Sequence, residues 1–197
     1  GTNALLEHEA SAEDLLRQAL PLAEGDRILM GRILNNLGIL RYQEQRYLEA
    51  LEQFGKALEL RQGLGYRWGE VVNHHNIGDA WLATGNHANA YAAFEQSRDL
   101  AKEVAWERGV VMNEVFLWYL RGLRGEPVLP ELDRLNGLAK RLGDRETAIV
   151  ASFLSADIKQ SRDLLQLAQN EAEQAGFAAL ASRIERRIAS LDTPPAV

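Results

Sequence analysis

Apolar residues recur along this chain at spacings of three and four, and no strand-like alternation interrupts them. Leu15, Leu16, Ala19, Leu20 and Ala23 form one stripe. Leu48, Leu51, Phe54, Leu58 and Leu60 form another, and Phe177, Leu180, Ile184, Ile188 and Leu191 a third. That spacing puts each set on one face of an α-helix. Short breaks divide the stripes: EGD at 24–26, EQR at 44–46, LGY at 64–66, TGN at 84–86, RGEP at 124–127 and LGD at 142–144. Glycine suits a helix C-terminus, and Asp or Asn suits the N-cap that follows. The pattern predicts about ten helices, each antiparallel to its neighbour because the turns are short. The closing DTPPAV, 192–197, is too rich in proline to be helical and is expected to be a disordered tail.

Two stretches are written in the same grammar. NNLGILRYQEQRYLEALEQFGKAL (35–58) and HNIGDAWLATGNHANAYAAFEQSRDL (75–100) align at an offset of forty residues. Asn36 matches Asn76, Leu37 matches Ile77, and Gly38 matches Gly78. Ala50 matches Ala90, Phe54 matches Phe94, Ala57 matches Ser97, and Leu60 matches Leu100. Self-similarity at a fixed period implies stacked units, because one helical hairpin cannot bury both of its apolar faces. Glycine at 38 and 78 lets the second helix of each pair approach the first, and Ala50 and Ala90 do the same from the other side. Phe54 and Phe94 fill the space between.

These positions resemble the tetratricopeptide repeat. The resemblance rests on Leu34, Leu37-Gly38 and Tyr42, followed by Ala50, Phe54 and Ala57. The second copy has His74, Ile77-Gly78 and Trp81, followed by Ala90, Phe94 and Ser97. The usual repeat is about 34 residues, so this one is about six longer. The long form with an Asn-Leu-Gly core looks like the repeats of G-protein-signalling modulators, kinesin light chain and many bacterial signalling proteins. The resemblance covers 28–104 and implies an all-α fold, a right-handed superhelix of antiparallel hairpins.

The expected organisation is one array over 1–191. It comprises a partial N-terminal repeat at 11–24, repeats at 28–64 and 66–104, degenerate repeats at 105–142 and 144–176, and a capping helix at 177–191. TNALLEHE reads as the truncated first helix of the opening repeat. In the third repeat Trp118 replaces the small residue and Pro130 falls where Ala is expected. In the fourth, Ala151, Ala168 and Ala172 serve as small contacts. On the last helix Arg183, Glu185, Arg186 and Arg187 are expected to face water. The truncated opening, with Gly1 in place of an initiator Met, reads as a fragment of a larger bacterial-type signalling or regulatory protein.

Composition narrows the function. At 46% apolar and 25% charged the chain is an ordered globular one. The net charge of −6, without a basic block, argues against a nucleic-acid partner. There is no Cys, hence no disulfide, thiolate metal site or Cys nucleophile, which fits a cytoplasmic location. No apolar run is long enough to span a membrane.

In the family that the repeats resemble, the first helices line a concave groove that binds peptides or partner segments. Carried over, the lining is Arg32, Asn35, Asn36, Ile39, Tyr42 and Gln43, then Val72, His75, Asn76, Asp79, Leu82 and Ala83. By the same offset the third repeat supplies Met112, Val115, Phe116, Tyr119 and Leu123. The groove then grades from polar to apolar, suiting an amphipathic or extended peptide. The competing reading has Asn36 and Asn76 bridging neighbouring helices and the third set packing under the fourth hairpin. The carboxylate clamp of chaperone-binding members is matched only by Asn76, since the other positions hold Asn35, Ile39, Met112 and Phe116, none of them a cation.

Catalytic chemistry finds no foothold. His74 and His75 are adjacent on a helix and point about 100° apart, so they do not share an ion, and His87 sits at a turn. His75 and Asp79 are spaced to hydrogen-bond but lack a nucleophile. No HExxH, GxSxG or P-loop is present. Of the four Trp, Trp81 fits a repeat-core position and Trp118 is expected in the core, whereas Trp68 and Trp106 are candidates for a contact patch. The reading is a non-catalytic module that binds a protein or peptide, without metal or cofactor; the alternative is a scaffold that pairs as a homodimer.

Overall fold

The computed structural model describes the backbone of residues 2–191 and the side chains of residues 12–191. The proline-rich 192–197 lies outside the described residues. Ten helices follow one another, and the described residues contain no strand: α1 (Thr2–Leu22), α2 (Arg27–Gln43), α3 (Tyr47–Gly63), α4 (Arg67–Ala83), α5 (His87–Glu103), α6 (Glu107–Gly122), α7 (Leu129–Arg141), α8 (Arg145–Ile158), α9 (Arg162–Ala175) and α10 (Ala178–Leu191). The chain is an all-α helical repeat, with its breaks at the turns that glycine and the capping residues mark. Asp26, Asn86 and Asp144 each accept a hydrogen bond from the backbone N–H three residues on, at 2.9, 3.2 and 3.1 Å. At the other end, TNALLEHE is not a separate helix. Nothing in the run from Thr2 to Leu20 breaks a helix, and α1 passes through it without a turn.

The chain divides into two compact units, 1–105 and 106–197. In the first, α1 packs on α2, and α2 to α5 pack each on the next, with α2 also reaching α4. Ala23, Ile33 and Leu37 form one buried cluster with Leu16, Ala19, Leu20 and Met30 against it. Ala50, Phe54 and Ala80 form the next, flanked by Tyr42, Leu51 and Ile77. The edge residues Leu15 and Leu48 of the two apolar stripes stay exposed.

The repeated glycines are explained by contact. A Cβ on Gly38 would lie 2.5 Å from the Phe54 ring, and one on Gly78 would lie 2.8 Å from that of Phe94. A second pairing escaped the repeat alignment. Tyr66 and Trp106, forty apart, lie over Gly69 and Gly109, where a Cβ would meet them at 2.5 and 2.6 Å.

In the second unit α6 contacts α7 and α8, and α7 to α10 pack each on the next. Pro130 does not interrupt α7; it stands in the first turn, where its missing N–H costs nothing. Trp118 is only half-buried, with the Arg121 guanidinium 4.6 Å above its ring. The cations of α10 do not all face water. Arg187 pairs with Asp157 of α8, and Arg183 lies 5.9 Å from the ring centre of Phe116 and 5.8 Å from that of Phe153.

Candidate functional site

The first helices of the two clear repeats are α2 and α4, and they carry the groove residues of the first unit. On α2, Arg32, Asn36, Ile39 and Gln43 are exposed, Tyr42 is half-buried and Asn35 is buried. On α4, Val72, His75, Asn76, Asp79 and Leu82 are half-buried and Ala83 is exposed. The two helices meet through their amides: Asn76 Nδ2 donates to Asn35 Oδ1 at 3.1 Å. Tyr42 packs edge-on against Tyr47, and His75 tilts against Phe94, both with ring centres 5.4 Å apart.

Behind this face runs a buried polar chain that periodicity alone does not reveal. Asn73 is fully buried; its Nδ2 donates to Asn35 Oδ1 at 3.2 Å and to the Phe54 carbonyl at 3.3 Å. Its Oδ1 accepts from Arg61 Nη1 at 2.6 Å, and the same nitrogen donates to the Gly69 carbonyl at 2.7 Å. Arg61 is 6% exposed and pairs with no carboxylate among the described residues. Burial pulls its pKa below the usual guanidinium value, Tyr66 opposes that, and Arg32 adds to it; the group remains a cation and a pure donor. The one signal in the sequence was an Arg at the end of α3 where the next copy has Ala101.

His74 is half-buried, and burial lowers its pKa while Glu70 works against the shift. Among the described residues no three His, Cys, Asp or Glu side chains are placed to hold a metal ion.

The α6 set belongs to the second unit and is used differently. Met112 is half-buried and Leu123 exposed, but Val115, Phe116 and Tyr119 are buried. The Tyr119 hydroxyl donates to Asp157 Oδ2 at 2.5 Å. Burial, then the Asp157 charge and hydrogen bond, push its pKa well above the ordinary phenol value. Two of the three buried side chains of this set, Phe116 and Tyr119, are thus engaged with α10 and α8.

A model of the tetratricopeptide repeat family matches residues 29–103, the span of α2 to α5. With ten helices in succession, the match is consistent with a tetratricopeptide-repeat protein, the matched repeats being those of α2 to α5. Repeats of this family are protein-interaction modules and are typically non-catalytic. No curated protein matched the chain. Among the described residues no helix is long and apolar enough to cross a membrane.

Proposed function

We infer that the chain is a non-catalytic module that binds a protein or peptide segment along the α2/α4 face. The observation that carries this reading is the coincidence of the family match at 29–103 with a face whose polar side chains, Arg32, Asn36, Gln43 and Asn76, remain at least partly exposed. An extended segment laid there meets amides that can hydrogen-bond its backbone and the apolar Ile39 and Leu82 between them. The face carries donors and acceptors rather than a cluster of cations, so it suits a polypeptide more than a nucleic acid. The resemblance to signalling repeats supports a regulatory role, with the partner in the cytoplasm.

The test is selection of peptides from a random displayed library on the purified protein, followed by titration of the tightest. Asn36→Ala with Asn76→Ala is expected to weaken binding by about tenfold or more, the effect of losing one or two ligand hydrogen bonds. Peptides that bind this double variant unchanged would remove the face from consideration.

A second reading has its own observation. Tyr66 and Trp68 are 44% and 45% exposed at the α3–α4 turn, and large aromatics of this kind anchor interfaces. In that reading two copies pair through this turn. Light scattering over a wide concentration range separates the two, since a strict monomer eliminates it.

A further inference from the structure

The buried chain Arg61–Asn73–Asn35–Asn76 has a direction. A guanidinium only donates, so the Asn73 atom facing Arg61 must be its oxygen. That turns Asn73 Nδ2 toward Asn35 and the Phe54 carbonyl, where both its hydrogens are used. Asn35 must then offer Oδ1, which takes a second hydrogen bond from Asn76 Nδ2. A flip of any one amide sets oxygen against oxygen or donor against donor in a dry interior. The last link is at the surface. Every buried side-chain oxygen and nitrogen among the described residues has a partner, and Oδ1 of Asn76 accepts from none of them, so that oxygen meets solvent. The cation is not repeated: Ala101 stands forty after Arg61.

We propose that Arg61 and Asn73 are positioning residues that fix the Asn76 amide with its oxygen outward, so that this point of the α2/α4 face selects a hydrogen-bond donor, a backbone N–H of an extended segment, from its ligand. The proposal rests on the binding-face reading for the ligand, while the orientation itself is measurable without one.

The test uses the 15N-labelled full chain and follows exchange of the side-chain NH2 groups with water. Asn73 is expected to exchange slowest, and Asn76 about tenfold more slowly than the exposed Asn36. Asn76 exchanging as fast as Asn36 in the wild-type protein overturns the proposal, and that result needs no variant to fold. Asn73→Asp keeps the acceptor for Arg61 but has no hydrogen to give Asn35. Asn35 then turns its nitrogen toward residue 73, and Asn76 turns its nitrogen outward. In the folded variant, judged by circular dichroism, Asn76 is expected to exchange at the Asn36 rate; a lowered Tm with unchanged Asn76 exchange means a merely structural role and sinks the idea. The ligand arm takes the library-selected peptides and N-methylates them one position at a time. One methyl group is expected to cost about tenfold on the wild-type protein and nothing on Asn73→Asp. A peptide bound at this face that tolerates methylation everywhere overturns the donor preference. Failure to select any peptide, with Asn76 still slow, counts against the binding-face reading instead.

Discussion

Tyr119 of α6 and Asp157 of α8 share a short hydrogen bond, 2.5 Å between the phenol oxygen and Oδ2, and the other carboxylate oxygen is held by Arg187 of α10. Three helices are tied through one carboxylate, 7% exposed. Tyr119→Phe keeps the ring and removes the donor, and is expected to cost about 2 kcal/mol, the value of a hydrogen bond to a charged group. Because Tyr119 titrates above its ordinary value, its contribution is complete below pH about 10 and is lost as pH rises through the elevated folded value. Thermal melts from pH 8 upward should show an alkaline decline that the Phe variant lacks.

Glu13 carries the opposite dependence. Hydrogen bonds from Arg41 and then Arg17 pull its pKa down to about 2, against the opposing desolvation. Its partner Arg41 is buried, lies against Glu44 as well at 2.8 Å, and so anchors α1 to the end of α2. A depressed carboxylate stabilises above its unfolded pKa and loses that stabilisation as pH falls through the folded value. Hydrogen exchange of the α1 amides is therefore expected to accelerate between pH about 4 and 2 more than that of α4, and Glu13→Gln should show the fast α1 exchange already at neutral pH.

The contact of Gly78 with Phe94 supplies a core test with an internal control. Alanine at 78 places a Cβ 2.8 Å from a fully buried ring, which must move. The overpacking cost of about 1–3 kcal/mol exceeds the roughly 1 kcal/mol that Ala gains over Gly in a helix. Gly55→Ala, in α3 with nothing within 4 Å of the new Cβ, keeps only the gain. Opposite shifts in the denaturation midpoint are expected, down for Gly78→Ala and up for Gly55→Ala.

The turns supply a further prediction. Residues 25, 65, 85 and 125 are glycines with positive φ, and Ala105 occupies the equivalent position at φ 54. An alanine held there is strained by about 1 kcal/mol relative to a conformation it prefers. Ala105→Gly is expected to raise stability by a few tenths to 1 kcal/mol after the greater freedom of glycine in the unfolded chain is counted. Urea denaturation checks it, and a lowered midpoint would contradict the strain.

The helices, their ends and the hairpin glycines were legible along the sequence, because each depends on neighbours within one or two turns or on a period that repeats. Gly38 with Gly78 and Phe54 with Phe94 are paired by the forty-residue offset alone, while the contact of each glycine with its phenylalanine is tertiary. The face on α2 and α4 came from the same register. What the sequence could not reveal is which polar groups turn inward. Asn73 and Asp157 look like any surface residue on a helix, and their partners lie 12, 38 and 30 residues away on other helices. A short side chain is buried only if a donor stands within about 3 Å of it, and that depends on how helices stack, not on periodicity. So local rules alone determined the repeat and its hairpins. The tertiary structure decided that Phe116 and Tyr119 serve packing, that Arg61 is a buried cation, and that Asn76 shows its oxygen to solvent.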